Sequence, residues 1–151
     1  MTDAWHPHLT VAVIVEVDGN FLIVKEISDD KVVLNQPAGH VEENETLFEA
    51  AQRETLEETG WHVRIESLVG FYLYRSPDNN TTYFRTLFSA VPLKEESNAT
   101  LDDGILEAQW LSLEEIQQQQ SMLRSPMVLT CIEDYLAGKR LPLDCISHLS
   151  I

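Results

Sequence analysis

GHVEENETLFEAAQRETLEETGW, Gly39 to Trp61, decides how the rest of the chain is read. Thr46 and Glu49 have the T-x-x-E spacing of a capping box, which starts a helix, and Gly60 supplies the left-handed residue that ends one. At about 100° per residue, Leu47, Ala50, Ala51, Glu54, Glu57 and Glu58 share one face about 120° wide. Its first half is apolar and its second half carries three carboxylates. A solvated helix sets its acids opposite its apolar residues, and carboxylates at i, i+3 and i+4 repel one another at neutral pH. A hard divalent cation among Glu54, Glu57 and Glu58 removes that repulsion. The face is therefore expected to point inward and hold Mg²⁺ or Mn²⁺.

The chain has 151 residues, 44% of them hydrophobic, which suits a single domain with a real core spanning residues 1–151. No apolar run approaches a membrane span, and MTDAWHPHLT lacks the apolar segment of a signal peptide. Cys131 and Cys145 are too few for a disulfide framework, so a reducing cytoplasm is the expected setting. A formal charge of −15 argues against nucleic-acid polymers and anionic membranes. It leaves small phosphates open, because exposed charges beyond about 8 Å are screened at physiological salt while a dication or an arginine acts at contact.

Outward from the motif helix, the segments read as strands and turns. Leu9 to Val17 is a run buried on both faces, Asp18-Gly19-Asn20 a turn, Phe21 to Glu26 the return strand of a hairpin and Lys31 to Leu34 a short strand. His6 and His8 read as incidental. Gly39 allows the backbone to approach a bound ion, and His40 beside it either contacts phosphate or packs at the turn. His62 to Arg75 and Tyr83 to Pro92 form a second hairpin across SPDNNTT. Its Tyr72, Tyr74, Arg75, Tyr83 and Arg85 are groups able to stack a planar ring and grip a diphosphate, with Arg75 and Arg85 the leading candidates. Lys94 to Asp103 reads as a mobile flap near the site, and Gly104 to Leu111 as a strand followed by a capped helix at Ser112-x-x-Glu115. A helix over 126–137 and an extended tail over 141–146 close the chain.

Gly39, Glu45 and Arg53-Glu54-Thr55-Leu56-Glu57-Glu58-Thr59-Gly60-Trp61, at their spacing, resemble the Nudix box of the Nudix hydrolases. Thr55 departs from the aliphatic residue usual at its position, and a local packing adjustment is expected there. NQPAGH, FYLYRSPDNNTTYFR, LRSP and GKRLPLD extend the similarity toward the bacterial NudJ-type phosphatases of that family.

The resemblance implies an α/β fold, the Nudix α/β/α sandwich with a mixed β-sheet between helices. It implies metal ligation by Glu54, Glu57, Glu58 and the Gly39 carbonyl, and a catalytic set of Glu57, Glu54, Arg53 and a further carboxylate near Glu107, with Asp102 and Asp103 behind it. Arg53 is expected to turn away from the metal stripe and to orient it by pairing with Glu45 or a motif glutamate. Glu45 and Gly60 are structural members of the motif. Arg75, Arg85, Tyr74 and His40 are the expected substrate-binding residues.

The implied reaction is metal-assisted attack of water on phosphorus. The implied substrates are small phosphorylated molecules, namely nucleoside tri- and diphosphates and hydroxymethylpyrimidine pyrophosphate, a thiamine precursor. Nucleoside diphosphate sugars, dinucleotides and a non-catalytic regulatory role are the alternatives. A monomer is expected, with a dimer as the alternative.

Overall fold

In the computed structural model, which describes residues 3–151, the β-branched run near the N-terminus forms β1 (His8–Val17). Met1 and Thr2, which open the segment read above as lacking a leader, lie outside the described residues. Asp18 and Gly19, at φ 51° and 82°, turn β1 into β2 (Asn20–Ser28), the two-residue connection for which Asp-Gly is suited. The other strands are β3 (Lys31–Asn35), β4 (Ala38–His40), β5 (Trp61–Arg75), β6 (Thr82–Glu95) and β7 (Ile105–Ser112).

The hydrogen-bonded order is β3-β2-β1-β6-β5, with β4 on β1 and β7 on β2. β1 runs parallel to β6 and antiparallel to β2 and β4, so the sheet is mixed. β4 lies against Thr10 to Ala12, whereas β2 meets β1 only at Glu16 and Val17. Helices α1 (Leu47–Thr59), α2 (Leu113–Gln118) and α3 (Met127–Leu136) complete the fold.

Strand side chains alternate, so β1 feeds two cores. Val11, Val13 and Val15 pack with Phe88 and with Ala50 and Ala51 of α1. Ala12 and Ile14 pack with Leu87 and with Cys131 and Ile132 of α3. Each fully buried aliphatic side chain contributes roughly 1.5–3 kcal/mol, which holds a helix on either face of the strands. The mixed sheet between helices agrees with the expected α/β class.

Three local expectations change. β6 continues pairing through Lys94 and Glu95, opposite His62 and Trp61, so the expected flap begins later. It is also anchored to α1, because the Glu96 amide donates to the Gly60 carbonyl (2.8 Å) and the Asp102 amide to the Glu57 carbonyl (3.0 Å). At the C-terminus only Leu141 is paired in extended form, exchanging backbone hydrogen bonds with Leu68. The chain then coils through a 3₁₀ turn at Leu143–Cys145. No helix among the described residues is long and apolar enough to cross a membrane.

Candidate metal centre and substrate pocket

α1 begins and ends where its residues dictate. Thr46 Oγ1 accepts from the Glu49 amide (3.1 Å), Glu49 Oε2 accepts from the Thr46 amide (2.8 Å), and Gly60 closes the helix at φ 76°. Thr55 is fully buried, and its hydroxyl donates to the Ala51 carbonyl at 2.8 Å. That bond satisfies the polar atom within the helix, which is the local adjustment the position requires.

The acidic face divides in two. Carboxylate oxygens of Glu54, Glu57 and Asp102 lie within 4.8 Å of one another. Glu58 turns instead toward β4, where its Oε1 accepts from the Ala38 amide at 2.7 Å. It is 6% exposed, and burial pushes its carboxyl up to about 9. Asp102 thus stands where Glu58 was expected, because the 96–104 loop is tied to the end of α1 and delivers its carboxylate there. Glu107 does not join. Ala108 and Trp110 of β7 pack on the α1-side core, so Glu107, one position out of phase, faces away and lies 3.5 Å from Lys25 Nζ.

Arg53 does not turn away from the metal stripe. Its Nε and Nη2 donate to the two oxygens of Glu45 (2.6 and 3.0 Å), and Nη1 donates to Glu54 (2.8 Å) and Glu57 (3.1 Å). Nη2 also reaches the His40 carbonyl at 3.0 Å. The guanidinium holds the Glu45 carboxyl below its usual range, while burial, partly offset by Arg53, raises that of Glu54.

A β-carbon on Gly39 would overlap the Glu54 carboxylate. Glycine is needed there for close approach. Three converging carboxylates, all oxygen donors, with space kept for one of them by a missing side chain, match the preferences of a hard dication.

On the α3 side of the sheet a cavity of about 200 Å³ is lined by Gly39, His40, Tyr74, Tyr83, Arg85 and Arg124, among others. His40 therefore both edges the metal cluster and lines the pocket. Its Nε2 lies 2.9 Å from His8 Nδ1, with the Tyr83 ring beside both, so His8 touches two residues that line the cavity. Burial, then His8 and Arg124, lower the basicity of His40. Arg75 is not brought in, since it alternates with Tyr74 to the other face and braces the hairpin turn through Asn80 Oδ1 at 2.9 Å. Tyr72 also leaves the pocket, donating its hydroxyl to Asp134 at 2.7 Å.

Two further polar groups escape the sequence pattern. Glu26 is 8% exposed and accepts from Arg124 at 2.7 Å, while its neighbour Ile27 is exposed. Glu26 keeps the period-two phase of the buried Leu22 and Val24, the bulge opposite it falling at Leu106 of β7, and no sequence signal marks that a charged residue on this face is covered and paired. Arg124 lies in the LRSP stretch, whose composition names no partner.

Residues 6–129 match the model of the NUDIX domain. The chain is a Nudix hydrolase. It is 42% identical over 145 residues to Phosphatase NudJ of Escherichia coli strain K12, covering 95% of this chain and 93% of the relative. The solved NUDIX hydrolase from Nitrosomonas europaea superimposes with a TM-score of 0.94 at 44% identity, covering 95% and 98% of the two chains. A UDP-X diphosphatase shares the Nudix fold at a TM-score of 0.72 and 17% identity. Within this chain the Nudix box contributes Glu54 and Glu57 to the carboxylate cluster, and the loop after β6 contributes Asp102.

Proposed function

We propose that this Nudix hydrolase, acting as one domain over residues 1–151, cleaves phosphoanhydride bonds in small di- and triphosphates by water attack on phosphorus. Nucleoside tri- and diphosphates and hydroxymethylpyrimidine pyrophosphate are the proposed substrates, with Mg²⁺ or Mn²⁺ as cofactor. The phosphatase name of its 42%-identical relative supports a reaction that releases phosphate. The observation that carries the reading is the triangle of Glu54, Glu57 and Asp102 fastened by Arg53.

In this reading Glu54, Glu57 and Asp102 hold the dication, with the Gly39 carbonyl nearby. When bound there, a divalent cation polarises phosphoryl oxygens and lowers the pKa of water. Arg53 fixes the Glu54 and Glu57 carboxylates through charge-assisted hydrogen bonds, so little reorganisation is required as charge develops. Glu57, with a side chain 38% exposed against 13% for Glu54, takes the proton of the attacking water. His40, Tyr74, Tyr83 and Arg85 receive the rest of the substrate from the α3 side. The enzyme is proposed to work as a monomer in the cytoplasm, on small molecules and not on nucleic-acid polymers or membranes.

A panel of nucleoside phosphates, sugar nucleotides and pyrophosphates, assayed with and without Mg²⁺ and with products identified, tests the reading. Metal-dependent release of phosphate from di- and triphosphates is expected. Turnover confined to sugar nucleotides, or unchanged by chelator, would overturn it.

A further inference from the structure

His8 and His40 meet on strands that fix both of them. Thr10 of β1 is the register partner of His40 of β4, and His8, two residues earlier, lies on the same strand face. Tyr83 of β6 is in turn the register partner of His8, and its ring lies 5.6 Å from the His8 ring and 6.5 Å from that of His40. The Tyr83 hydroxyl accepts from Asn79 Nδ2 at 3.0 Å, which holds that ring from the hairpin turn. The main chain around His40 is pinned as well. Arg53 Nη2 donates to the His40 carbonyl (3.0 Å), and the Val41 amide donates to the Leu9 carbonyl (3.1 Å). Both imidazoles are therefore carried by paired backbone and not by a loop.

His8 Nδ1 and His40 Nε2 are 2.9 Å apart, with ring centroids separated by 5.1 Å. Around an ion with metal–nitrogen bonds of about 2.0–2.1 Å, two ligand nitrogens lie about 2.9 Å apart at a right angle and about 3.4 Å apart at the tetrahedral angle. The pair already has the spacing of two adjacent ligands of a tetragonal ion, and an opening of about 0.5 Å reaches the tetrahedral one. A hydrogen bond between two imidazoles also requires at least one facing nitrogen to carry a lone pair, which is the ligating form. Arg124, the cation on the same side, is engaged by Glu26 at 2.7 Å, while Asp29 and Asp78 line the cavity that His40 faces. Imidazole nitrogen suits Zn²⁺, Ni²⁺ and Cu²⁺, whereas Mg²⁺ takes oxygen donors such as those of the carboxylate cluster.

We propose that His8 and His40 form a second metal site, beside the α3-side cavity, for a borderline transition dication such as Zn²⁺ or Ni²⁺. On binding, the ion takes the lone pairs of His8 Nδ1 and His40 Nε2, and the hydrogen that joined them passes to an outer ring nitrogen. Water completes the coordination. The site differs from the carboxylate cluster in donor type and hence in metal preference, and it does not rest on the hydrolytic reading. Its consequence for hydrolysis is inhibition, because the ion occupies His40, one of the groups proposed to receive the substrate.

Isothermal titration of Ni²⁺ into the full chain in excess Mg²⁺ tests the site without turnover. A Cys145→Ser background removes the exposed thiol as a competing ligand. His8→Ala and His40→Ala should each weaken Ni²⁺ binding at least about tenfold, as expected when one of two protein ligands is lost. Both side chains are exposed, so both variants should fold. Glu57→Gln, which alters the carboxylate cluster, should leave Ni²⁺ binding unchanged. In the same buffer Ni²⁺ should raise KM in the Cys145→Ser protein with little change in kcat, and the added His8→Ala should abolish that rise. Ni²⁺ affinity equal with and without the two histidines, or lost in Glu57→Gln and kept in the histidine variants, would overturn the proposal. A protein that hydrolyses nothing yet binds Ni²⁺ through both histidines would count against the hydrolytic reading and support the site.

Discussion

The carboxylate of Glu54 occupies the space in which a β-carbon on Gly39 would stand. The central residue of a three-residue strand therefore sets the position of a helix side chain, through the absence of a single atom. Gly39 does not have the positive φ that would call for glycine on backbone grounds. Gly39→Ala should accordingly fold while pushing Glu54 off the cluster. We expect metal-dependent turnover to fall at least tenfold, with a weaker metal response in isothermal titration. The shorter side chain of Glu54→Asp in the same molecule should restore part of it. Full activity of Gly39→Ala would remove the steric argument.

Glu57 is expected to be indispensable to the chemistry. Glu57→Gln keeps shape and removes charge, so kcat should drop by about 10²-fold or more, the scale of a lost catalytic group. Circular dichroism and the melting temperature should stay near wild type, since the side chain is half exposed. Near-normal turnover by the folded variant would reject the role.

Asp102 and Glu107 should behave oppositely. Asp102→Asn removes a carboxylate from the triangle and should raise the Mg²⁺ concentration needed for half-maximal rate by roughly tenfold or more. Glu107→Gln loses only an exposed ion pair with Lys25, which contributes about 0–1 kcal/mol to stability and nothing to the cluster. Its rate should match wild type across a metal titration. The reverse ranking would return the further carboxylate to β7.

Glu58 makes the metal-free protein sensitive to alkali. Its folded-state pKa, about 9 through burial, lies above the ordinary 4.5. The folded state therefore binds the proton more tightly than the unfolded chain. The associated stability is complete below pH 4.5 and is lost as pH rises toward 9. In EDTA, the wild-type melting temperature should fall across that window more steeply than that of Glu58→Gln, in which the neutral form is permanent. Parallel curves for the two proteins would show that Glu58 is already ionised at neutral pH.

The order of side chains along α1 was legible before folding. Thr46, Glu49 and Gly60 act on backbone groups within four residues of themselves, so the start and end of the helix are local properties. The two hairpins and the β1 run were legible for the same reason, as was the family, whose signature is a set of spacings within 23 consecutive residues.

What surrounds the helix was decided by tertiary structure. Asp102 reaches Glu54 and Glu57 only because its loop is tied to the end of α1, and Glu58 leaves them because Ala38, twenty residues earlier, offers an amide. Glu26 shares its strand face with the buried Leu22 and Val24, and it is paired there by Arg124, 98 residues later in the chain. Arg85 and Arg75, equivalent by composition, are separated by strand alternation and by which strand face α3 covers. Spacing along a chain governs which groups share a helix face. Which groups meet across β4, β6 and α3 depends on register and packing between distant segments, and no short stretch of sequence encodes that.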